Sequence, residues 1–468
     1  MDVKERKTVS EKMMAETACR PEPGFLKQYR RCYPRAKKFH VTSDGLVFPD
    51  DKKAADCSPK VHRMWRVKNL LNEKTMNLPN VKIVIGSGSM GNVTLSDDGI
   101  SGMILTGTAV PEKLELNKVY VLGGMTDLKK YGIEEKTNPL LVKDLTAFYS
   151  AAGEGAELHL LVVSEATTLT QICANEDGSP LNRLINSAAG RIRLVGINRN
   201  TPAEYELTAE KCLDADIITA ITAAQTVADA FLEKIAPFRV FIPAIGWTGE
   251  TDGLYQPREG SCNRIAVVMA SDGKVGESKL YSAAIGQVLG RAAKISVHQN
   301  LGRVRDGAIA SIGYMTDGKT PEEHFSELGI LNDAGYIFYR TYIGKNGYYL
   351  NGDAMAAPTT DSYCYLSSGR VIDKAAVIAY RTYIDEILDN IEVDPESGTI
   401  PTAICKSFEA SIIRAVNTNM NGEISSFTAY IDPSQNILAN GHMEITCKIV
   451  PLATLREITV NLSLENPA

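Results

Sequence analysis

Between Val119 and Ile245, short apolar runs alternate with stretches whose apolar residues recur every third or fourth position. "VYVLGG" (119–124), "ELHLLVVS" (157–164), "RIRLVGI" (191–197) and "FRVFIPAI" (238–245) have the length and branched side chains of buried strands. Between them, "NPLLVKDLTAFYSAAGEG" (138–155), "PLNRLINSAAG" (180–190) and "ADIITAITAAQTVADAFLEKIA" (215–236) read as helices. Pro139 stands at the first helical position and Gly153 just past the end, the asymmetry that a fixed φ and a missing Cβ favour. This alternation predicts an α/β layer with largely parallel strands. "CNRIAVVMAS" (262–271) and a helix over 278–294 extend it.

The pattern then changes. "GYIFYRTYIG" and "GYYLNGD" (335–353) are aromatic strand segments. A helix follows over Arg370–Asn390, with Ile372, Ala375, Ala379, Tyr383 and Ile387 on one face. A second spans about Ala403–Asn419, with Ile404, Phe408, Ile412 and Ala415 on one face. Three strands close the chain: "SSFTAYI" (425–431), "HMEITCKIV" (442–450) and "EITVNLSLE" (457–465). The second puts Met443, Ile445, Cys447 and Ile449 on one side, and the third Ile458, Val460, Leu462 and Leu464, so each should bury one face. Near the other end, after a turn at Met76, Val81, Ile83 and Ile85 lie in a similar extended run. Such terminal strands either fold back or pair with a neighbouring molecule by strand addition. The fold class is therefore α/β plus α+β.

Composition changes this picture at one end only. The chain has 468 residues, 44% hydrophobic and 23% charged, enough for two or three cored domains. Its net charge of -6 offers no basic field to nucleic acid. Residues 1–75, however, carry 18 Lys and Arg against 10 Asp and Glu, and show no sustained period. They read as a basic N-terminal extension, either a tail or a very small separate unit. Nine cysteines without a C-x-x-C pair suggest free thiols in a reducing compartment. Cys19, Cys32, His40, Cys57 and His62 are metal-binding residue types, but their spacing matches no common site. No run of 18 apolar residues and no apolar leader segment is present, so neither membrane insertion nor a signal peptide is expected.

Two glycine-rich stretches mimic nucleotide motifs. "GYMTDGKT" (Gly313–Thr320) fits the phosphate-loop pattern G-x-x-x-x-G-K-[ST]. The loop works by placing its Lys and Thr in the first turn of a helix whose positive end faces the phosphates. Here Pro321 pushes Thr320 out of the helical region, leaving Thr320 as an N-cap and Lys319 outside the helix. Asp317, Glu322 and Glu323 would also repel phosphate. The expected structure is a turn capping a short helix, "PEEHFSEL", that ends at Gly329. "GSGSMG" (86–91) fits G-x-G-x-x-G, but strand-like sequence follows it instead of a helix. The six histidines are isolated, and no H-E-x-x-H or G-x-S-x-G motif occurs. Asp97, Asp98 and Asp353 precede or adjoin turns, where carboxylates usually serve structure. No catalytic residue, cofactor or metal is expected. The rival reading is a nucleotide-dependent α/β enzyme using residues 313–320, and a third is a soluble binding module.

"LPNVKIVIGSGSMGNVTLSDDGISGMILTG", "GYYLNGDAMAAPTTDSYCYLSSGRVIDKAAVIAYRTY" and "HMEITCKIVPLATLREITVNLSLE" together resemble the tail sheath proteins of contractile phages and related injection particles. The more specific marks are the "NGD" segment, the "RVIDKA" helix start and the P-x-x-x-L-R-x-I link before the last strand. The resemblance covers roughly Met76–Ala468. It implies a structural subunit, not an enzyme, that polymerises around an inner tube and contracts to drive it through a target envelope. It also implies an outer α/β domain (111–334) and a C-terminal two-helix, small-sheet sheath domain (335–468) that begins with residues 76–110. Extended arms complete that domain in adjacent subunits: Val81, Ile83 and Ile85 at one end, and Ile458, Val460, Leu462 and Leu464 (arm 457–468) at the other. The implied partners are further sheath subunits, the inner tail tube protein, and baseplate and terminator proteins. The implied location is a virion tail assembled in a bacterial host cytoplasm.

Overall fold

The apolar runs of the alternating region form the interior of one sheet in a computed structural model of the chain. The structure describes residues 39–41, 47–49, 96–201 and 205–464. The chain divides into two compact units, Met1–Asn80 and Val81–Ala468. In the first, Phe39–Val41 and Val47–Pro49 pair as an antiparallel hairpin with Val41 opposite Val47.

The larger unit is built on seven strands: β1 (Ser101–Gly107), β2 (Val119–Leu122), β3 (Leu158–Ser164), β4 (Leu194–Asn198), β5 (Arg239–Pro243), β6 (Ile265–Val268) and β7 (Tyr336–Ile337). Their order is β7–β6–β5–β4–β1–β3–β2. All neighbours are parallel except β2, which runs antiparallel to β3 with Val119 opposite Leu161. The central strands are apolar on both faces because helices cover both. Helices α1 (Pro139–Ala152) and α4 (Ile285–Lys294) share a core with Met103 and Leu105. Helices α2 (Pro180–Ser187) and α3 (Ala215–Leu232) share the opposite core with Ile104. The alternation Met103, Ile104, Leu105 thus feeds two cores from one strand. Helix α3 is long and apolar enough to cross a membrane by length and composition, but its Ile217, Ile221, Val227 and Phe231 are buried in this core.

The sheet draws on residues outside the expected 111–334 segment, since β1 is one of its interior strands and β7 one of its edges. Three helix boundaries also differ from expectation. Helix α4 begins at Ile285, not 278, because Tyr281–Ala283 is taken up as a strand against Ala270–Lys274. The helix expected over 370–390 is α5, Leu366–Tyr383, ending in a short 3-10 turn at Glu386. Asp385, Glu386 and Asp389 oppose the negative end of a longer helix, and Leu388 takes a positive φ of 69°. Residues 321–327 form turns, and the helix there is Leu328–Ala334 instead.

The C-terminal part contains α5, α6 (Thr402–Asn419) and an antiparallel pair, β8 (Ile424–Tyr430) and β9 (Thr446–Pro451). Val371, Ala375 and Ile378 of α5 pack with Ile412 and Val416 of α6 and with Phe427 and Ile449 of the two strands. Val297, from the segment after α4, enters the same core. This is the third hydrophobic cluster of the unit, and it sits beside a group of buried charges.

Candidate intersubunit site

Residues 370–375 of α5, the "RVIDKA" stretch, carry three charged side chains, and all three are buried: Arg370, Asp373 and Lys374. Each meets the α/β body. Asp373 accepts from Arg239 Nε at 2.9 Å, from Arg264 Nη2 at 2.9 Å and from Arg264 Nη1 at 3.2 Å. Burial opposes the Asp373 charge, but the two guanidiniums outweigh it and hold the carboxyl below its ordinary value. Arg370 donates to the carbonyls of Ala292 at 2.9 Å and Asp98 at 3.1 Å. Its charge therefore lies near the C-terminal end of α4, where a cation suits the helix dipole. Burial pushes the Arg370 guanidinium down to about 10. Lys374 pairs with Asp98, so the "DDG" turn anchors this helix. Gly369 is required here, because a Cβ at that position would overlap the Arg239 guanidinium.

The start of α5 is fixed by Asp353 of the "NGD" segment. Asp353 is fully buried, accepts the Ser367 N–H at 2.9 Å and also accepts from Asn300 Nδ2. It acts as a cap supplied from outside the helix. Burial raises its carboxyl, while the bond to Ser367 and the charge of Arg456 pull it back. The guanidinium of Arg456 lies 3.8 Å from Asp353 Oδ1 and 3.5 Å from the ring centroid of Tyr365. The three stretches singled out by resemblance, "NGD", "RVIDKA" and the Leu-Arg link, therefore converge on one helix.

Strand β9 ends at Pro451, and beyond it the chain runs without strand pairing to Leu464. The expected third strand does not bury a face: Ile458 is 72% exposed, Val460 69%, Leu462 92% and Leu464 103%. The reason is local. Among the described residues β8 pairs only with β9, and no further strand joins that sheet. Among the described residues the apolar alternation has no partner strand. Val81, Ile83 and Ile85 lie outside the described residues, as does "GSGSMG". So do Cys19, Cys32, Cys57 and His62, while His40 lies in the separate hairpin.

The geometry of Gly313–Thr320 is that of a turn, as expected, and speaks against the rival phosphate-loop reading. Tyr314–Met315 is a strand paired with Ala270–Ser271, and the chain turns back at Gly318, whose φ is +94°. The Gly318 N–H donates to Met315 O at 2.9 Å, and the Met315 N–H to Lys319 O at 2.8 Å. Asp317 fills the turn, accepting the Lys319 N–H at 3.1 Å and meeting His324 Nε2 at 2.7 Å. Glu323 receives both the Thr320 N–H and hydroxyl, at 2.8 and 3.0 Å. These side-chain bonds hold 321–327 in turns where a helix was expected. The backbone donors that a phosphate needs are already satisfied, and no helix follows Thr320 directly. Among the described residues, no group of three or more His, Cys, Asp or Glu is placed to hold a metal ion.

Sequence reasoning did not find Arg239 and Arg264. A signal was available, since each Arg opens or precedes an otherwise apolar buried strand. A charge in that position needs a buried counter-ion.

The architecture, a mixed α/β fold with a sheet of mostly parallel strands, matches solved sheath structures. The anti-feeding prophage helical sheath in its contracted state superposes with a TM-score of 0.56 at 14% identity, covering 84% of this chain and all of that one. A chain of the anti-feeding prophage baseplate gives 0.51 at 14% identity, with 84% and 100% covered. No curated protein matches in sequence. The chain belongs to the DUF2586 family: the N-terminal domain model matches residues 78–354 and the C-terminal domain model residues 362–468. The charged contacts of α5 join these two matched regions.

Proposed function

We propose that this chain is the sheath subunit of a contractile tail particle. It polymerises around an inner tube and contracts to drive that tube through a target envelope. The fold shared with the anti-feeding prophage sheath supports this reading. The observation that carries it is the segment Glu457–Leu464, which follows a two-stranded sheet in the chain and alternates apolar and polar residues, yet is exposed and outside any strand. Exposed apolar strands of this kind are aggregation sites unless they have an intended partner. In the proposed particle, the β8–β9 sheet of an adjacent subunit is that partner, and the arm near Val81–Ile85 acts likewise. A strand of this length forms about six backbone hydrogen bonds, each worth about 0.5–1.5 kcal/mol net. The subunit acts by assembly and by switching between two packings, so its work comes from the lattice and not from a cofactor.

In this reading the α/β part faces outward, and residues 335–468 with the N-terminal arm form the inner sheath domain. Inner tube, baseplate and terminator proteins are the further partners, and assembly takes place in the bacterial cytoplasm before the tail acts. Electron microscopy and sedimentation of the purified chain test this directly. Hollow tubes of regular width are expected at high concentration. A monodisperse monomer at every concentration, or amorphous aggregate alone, would contradict it.

A further inference from the structure

We propose that Arg456 is the positioning residue of the C-terminal arm, clamping its root onto the start of helix α5 through Tyr365 and Asp353. The inference rests on the sheath reading above for its consequence, though not for its geometry. Strand β9 ends at Pro451, and residues 452–464 are exposed throughout. Within this exposed stretch Arg456 alone makes a charged contact with the body, lying 3.5 Å from the Tyr365 ring centroid and 3.8 Å from Asp353 Oδ1. A guanidinium suits the place because its flat face stacks on the ring while its edge faces the carboxylate. Asp353 is itself fully buried, tied to the Ser367 N–H and to Asn300, so the clamp has a rigid base.

The placement has a mechanical consequence. Leu455 and Ile458 flank the clamp and are both exposed, so Arg456 fixes where the free arm leaves the body. Tension on an arm held by a neighbour then reaches the N-terminus of α5 before it reaches the β8–β9 pair. From α5 it passes into the α/β body through Asp373, Arg370 and Lys374. The small sheet is thereby spared the load that would peel its two strands apart.

The test compares Arg456→Ala, Arg456→Lys and Tyr365→Leu with the unaltered full chain. Chymotrypsin cleavage after Leu455 reports the root in the unassembled subunit, and sedimentation with electron microscopy reports tubes. Loss of the stack and charge should speed cleavage about fivefold to tenfold in Arg456→Ala at an unchanged melting temperature. Tyr365→Leu should do the same without altering the arm, and Arg456→Lys should fall between. Tubes from the two disruptive variants should be fewer or irregular. Unchanged cleavage in both Arg456→Ala and Tyr365→Leu overturns the clamp. If the unaltered chain never forms tubes, the sheath reading fails instead, and the cleavage rates still decide the role of Arg456.

Discussion

Asp373, two turns into α5, holds the Arg239 guanidinium at 2.9 Å across 134 residues of chain, with Arg264 on its other oxygen. All three side chains are buried, so none can turn to water if a partner is lost. Asp373→Asn should therefore cost about 3–5 kcal/mol, the usual penalty for leaving buried charge uncompensated. Urea unfolding at neutral pH measures it. A loss below about 1 kcal/mol, the size of an exposed pair, would show that the contact is not the buried one described.

The same group has a pH signature. The folded Asp373 carboxyl is depressed, so its contribution is complete above the unfolded value, near 4, and disappears as pH falls through the lower folded value. The stability gap between the unaltered chain and Asp373→Asn should stay level from about pH 5 to 8 and narrow below about 4. A gap that narrows on the alkaline side instead would contradict this sign. Asp353 has the opposite sign, because burial raises its carboxyl. Its neutral form is favoured in the folded state, and stability falls as pH rises from the unfolded value to the raised one.

Removing Glu457–Ala468 should leave a folded subunit. The described side chains of that segment are exposed and belong to no strand within the chain. Its loss should change stability by no more than about 0.5 kcal/mol, as for other exposed positions, while abolishing tubes. Calorimetry and electron microscopy read the two effects separately. Early melting would mean that the strand completes its own sheet.

Lys319→Ala should leave both stability and assembly unchanged, because the contacts of its turn run through the Lys319 backbone and the Asp317 carboxylate. ATP should not raise the melting temperature of either protein, whereas a real site gives stabilisation that grows with ligand concentration. Dose-dependent stabilisation lost in the variant would restore the nucleotide reading.

A chain starting at Met76 should fold and assemble like the full chain. The larger compact unit begins at Val81, and the family match at residue 78. Insolubility of the shortened chain alone would assign the basic extension to the fold.

Much of the fold is legible along the chain because buried parallel strands must be apolar on both faces, as in "LHLLVVS" and "RVFIP". Pro139 and the φ of +99° at Gly153 bound α1 where the sequence places them. Local competition was less legible. The turns at 321–327 replace a plausible helix because Asp317 and Glu323 bind His324 and Thr320, contacts that no periodicity encodes. The buried triad of Asp373, Arg239 and Arg264 needed tertiary structure, since strand starts and helix interiors lie more than a hundred residues apart. The arm was legible as a pattern, with Ile458, Val460, Leu462 and Leu464 in alternation. Where it pairs is not legible, because a strand that joins another molecule looks the same in sequence as one that folds back.

A cryo-electron microscopy map of tubes formed by the full chain, at a resolution that traces strands, tests the central claim most directly. Residues Glu457–Leu464 of one subunit should lie as an added strand beside the β8–β9 sheet of its neighbour, with Ile458, Val460, Leu462 and Leu464 covered. A map in which that segment pairs with the β8–β9 sheet of its own subunit, or stays exposed in the assembled tube, would contradict it.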